Sequence, residues 1–220
     1  MRLKVLSTLA MKGVLEDSAP GGAEIRYHST QALLESIAGG EPADVVILTN
    51  DGIDKLGSRV SGRVELGSSG VGLAVRSGAR KPDLSTTAKL EQALINAAGV
   101  AHSKSGASGL YFAGLLERRG WASRLKRRVI VEKGPAAAAV VSGDAELAVQ
   151  LLCELAPVKG IDVAGGFPPE VDYVVRFSAA VMKPSKEADA FMQFLQSPQA
   201  HAAMKKNLFT PALNSPRRPG

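Results

Sequence analysis

Apolar residues along this chain come in short runs, each giving way to small hydroxyl, amide or glycine residues and then to a stretch with helical spacing. Three such units fill the first 50 residues: Arg2–Leu6 passes into Ser7-Thr8, Glu24–Tyr27 into His28-Ser29-Thr30, and Asp44–Leu48 into Thr49-Asn50. A strand that ends in Ser, Thr or Asn at a helix start presents unpaired N–H groups and the positive end of the helix dipole at one place. Several such ends together make a place for an anion.

The alternation continues. Val71–Arg76 reads as a strand closed by Ser77-Gly78, and Thr86/Thr87 caps a helix over Lys89–Asn96 that turns Leu90, Ala93, Leu94 and Ala97 to one side. Gly99–His102 is a short strand, Ser103–Gly109 a small-residue turn, and Leu110–Arg119 a helix expected to bury Leu110, Ala113, Leu115 and Leu116. Arg128–Val131 follows as a strand, Ala136–Ser142 as a helix opened by Gly134-Pro135, and Glu146–Leu151 as a buried parallel strand. Ile161–Ala164 and Tyr173–Val181 are further strands, before helices over 186–195 and 199–206.

Strands alternating with helices predict an α/β fold with mixed, mostly parallel sheets. Val71–Arg76 and Tyr173–Val181, read as crossovers, divide the chain into two lobes: residues 1–74 with 178–220, and residues 75–177. Ligands favour such junctions, so the cleft between the lobes is the expected binding place.

A chain of 220 residues with 45% hydrophobic composition buries roughly 70% of its unfolded surface. No apolar run approaches the ~20 residues of a membrane span. Met1–Leu6 lacks the apolar core of a secretory signal, which predicts either a cytoplasmic protein or a periplasmic one whose export signal has been removed. The single cysteine, Cys153, stands between Leu152 and Glu154 in an apolar run and reads as a packed small hydrophobe.

The net charge of +6 suits an acidic small ligand. Its excess is local: Arg118-Arg119, Arg124 and Lys126-Arg127-Arg128 form one cluster, and Arg217-Arg218 sit in a Pro-rich tail. With aromatics at 5% and only Trp121 near the cluster, nucleic-acid binding is not expected.

Ser7, Thr8, Ser29 and Thr30 are either N-caps or ligand contacts, and their repetition at the ends of successive parallel strands favours contact. The Ser103–Gly109 turn has the composition of a phosphate or carboxylate cradle, with a flexible loop as the alternative; it lacks the Gly-Lys-Ser/Thr ending of a nucleotide loop. Lys104 could add a charge there. His28, His102 and His201 lack metal-ligand spacing, so no metal or cofactor is expected. His28 and His102, each at a strand end beside a proposed contact loop, are the candidates for a general base, against the alternative of satisfied loop histidines. Tyr111 and Gln150 are further cleft candidates.

Val5-Leu6-Ser7-Thr8, Ser29-Thr30 before Leu33–Ile37, Gly40–Ile47 with its Pro42-Ala43-Asp44, Ser105–Ala113, and the closing Phe191–Ala200 resemble the molybdate-binding branch of type II periplasmic binding proteins. The likeness spans most of the chain and implies a two-lobe protein, a monomer, that closes on a small oxyanion and delivers it to an ABC-transporter permease. Carried over by position, Ser7 and Ser29-Thr30 match the family's first two contact loops, Ala107-Ser108 the third, and the loop at Pro135-Ala136 the fourth. Molybdate binders of this kind place a tyrosine just after the strand corresponding to Glu146–Leu151; Gln150 and Leu151 stand there instead. The same branch includes aconitate isomerase, so the resemblance also implies an organic polycarboxylate as ligand, or as substrate for a double-bond shift.

Overall fold

The computed structural model describes residues 2–212, so the Arg217-Arg218 pair lies outside it. The chain forms two compact units whose boundaries fall after Ser68 and after Val175. The sequence placed them after residues 74 and 177. Val71–Arg76 pairs wholly within the second unit, while Phe177 already pairs in the first, and these pairings set the boundaries.

The first unit opens with β1 (Leu3–Thr8), α1 (Lys12–Ser18), β2 (Ala23–His28), α2 (Thr30–Ala38), β3 (Val45–Thr49), α3 (Asn50–Leu56) and β4 (Ser61–Ser69). The second contains β5 (Val71–Arg76), α4 (Thr87–Asn96), β6 (Val100–Ser103), α5 (Ala107–Arg118), β7 (Arg128–Val131), α6 (Ala138–Ser142), β8 (Leu147–Leu151), α7 (Leu152–Leu155) and β9 (Ile161–Gly166). The chain then returns to the first unit as β10 (Val175–Val181), α8 (Lys186–Phe194), α9 (Pro198–Lys206) and β11 (Thr210–Pro211).

Sheet order in the first unit is β11-β4-β10-β3-β1-β2, and in the second β7-β6-β8-β5-β9. β1 pairs in parallel with β2 and β3, and β6 with β7 and β8. β10 runs antiparallel to β3, β11 to β4, and β5 to both β8 and β9. The sheets are therefore mixed, with antiparallel pairs as frequent as parallel ones among the described registers, because the strands flanking each unit boundary enter against their neighbours.

Burial follows position. Central β3 is apolar through Val45–Leu48 and buried on both faces, whereas edge strand β2 alternates half-buried and exposed residues. Leu33, Val46, Leu48, Ile53 and Leu56 form a core of the first unit. In the second, α5 lies on β6 and β8 and drives Phe112 into the interior, edge-on to His102 and Phe167.

Some elements depart from the sequence pattern. β4 carries no apolar alternation, since its first residues are solvent-exposed and only Leu66, Gly67 and Ser69 are buried. Leu110 points outward at 60% exposure, and Phe112 takes the inward place with Leu115 and Leu116. α6 starts at Ala138, after a turn that buries Ala136 and Ala137. Cys153 is fully buried and its thiol pKa is pushed up by desolvation, as a packed small hydrophobe should be.

Candidate functional site

Parallel register gathers the first set of nominated residues at one edge of the first sheet. Ser7 stands beside Tyr27 and Ile47, and Thr8 beside His28, so the loop after β1 adjoins the one carrying Ser29 and Thr30. Ser29 caps α2, its Oγ accepting the Ala32 N–H at 3.4 Å. Thr30 Oγ1 accepts the Thr49 N–H at 3.3 Å and so ties the second loop to the third. Ser7 is buried and donates to the Thr8 carbonyl at 3.1 Å.

Thr8 stands apart. It is 4% exposed, and among the described residues its Oγ1 is the only buried side-chain oxygen or nitrogen with no hydrogen-bond partner. A buried hydroxyl left unpaired costs free energy, which marks the position for explanation.

The same edge holds groups that the sequence did not disclose. Ser178 on β10 is buried opposite Leu48; it donates to Asn50 Oδ1 at 2.7 Å and accepts from Arg63 Nε at 3.2 Å. Arg63 also pairs with Asp54. These contacts join residues 50, 54, 63 and 178, a separation that no local spacing rule reveals.

In the second unit, His102 aligns with Val149, which places Ser103 and its turn beside Gln150. Gln150 is 4% exposed, and its Oε1 accepts the Ala137 N–H at 3.4 Å, drawing in the Pro135-Ala136 turn. The start of α5 presses on the end of β6: a Cβ on Gly109 would lie 2.0 Å from the Ser103 carbonyl oxygen, and one on Gly106 would lie 2.7 Å from Ser103 Oγ. The backbone contact demands glycine at 109, whereas at 106 the Ser103 hydroxyl could rotate away. Gly106 at the N-cap offers no side-chain acceptor, so the first N–H groups of α5, at Ala107 and buried Ser108, receive no cap of the kind Ser29 gives α2. Ser7, Thr8, Ser29 and Thr30 thus meet in one unit, and Ala107, Ser108, Pro135, Ala136 and Gln150 in the other.

His102 does not suit the general-base role considered for it. Its Nδ1 bonds the Ser103 carbonyl at 3.0 Å and its Nε2 accepts from Arg128 Nε at 2.7 Å, leaving no free nitrogen. Burial, offset by the Ser103 carbonyl and aided by the Arg128 charge, lowers its pKa and keeps it neutral. His28 is exposed, and its Nδ1 accepts the Ser29 N–H at 2.9 Å. Tyr111 is pinned as well: it donates to the Val171 carbonyl at 2.8 Å and stacks on Tyr173. Lys104 holds Glu132 through both carboxylate oxygens. The basic cluster is partly spent, with Arg124 on Glu91, Lys126 on the Asn96 carbonyl and Arg128 on His102.

Glu154 escaped the sequence reading, which weighed its neighbour Cys153 alone. Gln150 Nε2 donates to Glu154 Oε2 at 2.9 Å. The side chain keeps partial solvent access, yet burial pushes its pKa up from the ordinary 4.5 to about 7, opposed in part by the Gln150 hydrogen bond. The signal was a carboxylate four residues beyond a glutamine inside an otherwise apolar run. A groove of about 990 Å³ in the second unit, with Arg76, Lys81, Arg127 and Glu146 in its wall, includes none of the nominated residues.

Residues 21–210 match the family model of bacterial extracellular solute-binding proteins. The chain belongs to that family. A Pseudomonas sp aconitate isomerase is 32% identical over 235 aligned positions, covering 97% of this chain and 89% of that protein. The Azotobacter vinelandii periplasmic molybdate-binding protein superposes with a TM-score of 0.75 at 20% identity, covering 97% of this chain and all of the other. The substrate-binding domain of a putative molybdenum ABC transporter from Clostridium difficile gives 0.66 at 15%, covering 96% and 99%. The fold is therefore that of the two-domain periplasmic binding proteins. Among the described residues, no helix is long and apolar enough to cross a membrane, and no cluster of His, Cys, Asp or Glu could hold a metal.

Proposed function

We propose that this solute-binding protein captures a small organic polycarboxylate, with Ser7, Thr8, Ser29 and Thr30 as the candidate contacts in the first unit and Ala107, Ser108, Pro135, Ala136 and Gln150 as those in the second. It acts as a monomer outside the cytoplasm and passes its cargo to an ABC-transporter permease. The unpaired, buried Thr8 hydroxyl at a strand-end edge carries this proposal, because a bound anion supplies the acceptor that the fold withholds. The uncapped start of α5 supports it with N–H donors. Preference for a carboxylate over a tetrahedral oxyanion rests on the isomerase being the relative at 32% identity, whereas the oxyanion binders share 20% or less.

The test is a thermal-shift screen with trans-aconitate, cis-aconitate, citrate, molybdate, tungstate and sulfate. A ligand at a hundred times its Kd stabilises by about 2.7 kcal/mol, which raises Tm by roughly 5 to 10 °C for a chain of this length. The tricarboxylates should give that rise. A shift with molybdate alone returns the ligand to the oxyanion class, and no shift with any of the six refutes anion capture.

A second reading, favoured by the same relative, is isomerisation of an unsaturated tricarboxylate. Loss of a proton next to a carboxylate, with N–H donors stabilising the developing charge, is the step to detect. Solvent deuterium should enter trans-aconitate, followed by NMR in D₂O; a tricarboxylate that binds without exchange excludes it.

A further inference from the structure

Glu154 sits on α7, four residues after Gln150, where β8 ends. The Gln150 amide is fixed at both ends, its oxygen by the Ala137 N–H and its nitrogen by the Glu154 carboxyl. The carboxyl is thereby positioned beside the turn and strand end that carry Pro135, Ala136 and Gln150. Among the described residues, no neighbouring cation contributes to its pKa. β8 has no ionisable residue. Of the strands packed against α7, β5 offers Arg76, whose guanidinium donates to the Val140 and Val141 carbonyls at 3.1 Å. β9 offers Asp162, which accepts from Ser77 Oγ and the Gly78 N–H. Cys153, its neighbour on α7, is kept neutral by burial.

Near neutral pH this carboxyl is close to half-protonated in the free protein. A polyanion arriving beside it disfavours the charged form, and the protonated form turns an acceptor into a donor. We propose that Glu154 holds a proton while the protein carries a polycarboxylate and donates it as a hydrogen bond to a ligand carboxylate, so that binding takes up a proton to the extent that the free carboxyl is ionised. This rests on the anion site proposed above. It makes capture pH-dependent: affinity falls as pH rises past neutrality, toward tenfold per pH unit once the free carboxyl is ionised. It also makes Glu154 a determinant of ligand choice, since an O–H donor suits a carboxylate oxygen.

Isothermal titration with trans-aconitate, in buffers of different ionisation enthalpy at pH 7 and pH 8, measures the protons taken up. Wild-type protein should take up about half a proton at pH 7 and close to one at pH 8. Glu154→Gln keeps an acceptor for Gln150 Nε2, and it should bind with no uptake and an affinity independent of pH across this range. Glu154→Asp retains a titrating carboxyl and should restore uptake. Binding by the wild type without proton uptake, or uptake unchanged in Glu154→Gln, overturns this inference while leaving the anion site standing. No heat with trans-aconitate in any of the three proteins rejects the ligand class and the proton coupling together.

Discussion

Replacing Thr8 with valine tests the site through stability, with no ligand needed. Thr and Val share their shape and both suit a strand end, so the substitution exchanges a hydroxyl for a methyl and little else. Thr8 Oγ1 is enclosed and has no partner, whereas the neighbouring Ser7 hydroxyl is bonded to the Thr8 carbonyl. An unsatisfied buried hydroxyl costs about 1–3 kcal/mol, and the new methyl gains from burial instead. Thr8→Val should therefore stabilise the free protein by roughly 1–2 kcal/mol, which raises Tm by about 2 to 8 °C at this chain length. In saturating trans-aconitate that advantage should largely vanish, to within about 0.5 kcal/mol of zero. There the wild-type hydroxyl has its acceptor, and losing that hydrogen bond weakens binding by about 1.5 kcal/mol, roughly tenfold. Differential scanning fluorimetry of both proteins, with and without trans-aconitate, gives all four values. A Thr8→Val protein less stable than wild type without ligand would refute the reasoning, because the hydroxyl would then be satisfied in the free state.

Two further perturbations probe the fold and the electrostatics. Phe112→Ala empties a fully buried site against His102 and Phe167 and should cost about 3–5 kcal/mol in urea unfolding. Glu154→Gln should change the pH dependence of stability in a defined direction: the folded-state pKa, about 7, lies above the ordinary 4.5, so the wild-type carboxyl contributes stability that is fully present below the lower value and lost as pH rises through the upper one. Wild type should accordingly lose roughly 3 kcal/mol relative to the variant between about pH 4.5 and 8, and a flat difference refutes the raised carboxyl pKa. Only the difference is diagnostic, because His102, with its pKa lowered by burial, changes wild-type stability in the opposite sense over part of that range.

The parallel units were legible because their signals are local. Apolar runs ending in Ser7-Thr8, His28-Ser29 and Thr49-Asn50 are strands followed by helical turns, and Ser29 and Thr49 are caps in fact. Leu90 and Leu94 are both buried on α4, as their spacing required. Where the signal was nonlocal, it failed. β4 forms because β10 and β11 flank it in the sheet, although residues 61–65 carry no alternation. Leu110 was placed inward by period alone, but α5 turns Phe112, Leu115 and Leu116 to the sheet and leaves Leu110 outside. Between a general base and a satisfied histidine, His102 is the second, and the sequence cannot name its partner because Arg128 is 26 residues away and comes near only once the sheet sets it opposite Val100 on the neighbouring strand. Glu154 was overlooked for a different reason: in sequence an acidic residue reads as exposed, and only three-dimensional enclosure moves its proton.

Ser178, Thr8 and Glu154 show why enclosure alone does not mark a site. Ser178 is as enclosed as any residue here, yet it receives a hydrogen bond from Arg63 and gives one to Asn50, and a structural role accounts for it fully. The hydroxyl of Thr8 and the carboxyl of Glu154 differ because the fold leaves each incompletely served: one has no partner, the other has a single hydrogen bond and no cation. Both could be relieved by one substitution of similar shape, Thr8→Val and Glu154→Gln, at no loss of packing. Local rules that a sequence breaks without structural compensation are expected where binding supplies the compensation. The two groups also err in complementary ways, a hydroxyl short of an acceptor in the first unit and a carboxyl that favours its proton in the second, and a carboxylate oxygen is the kind of partner that would complete either.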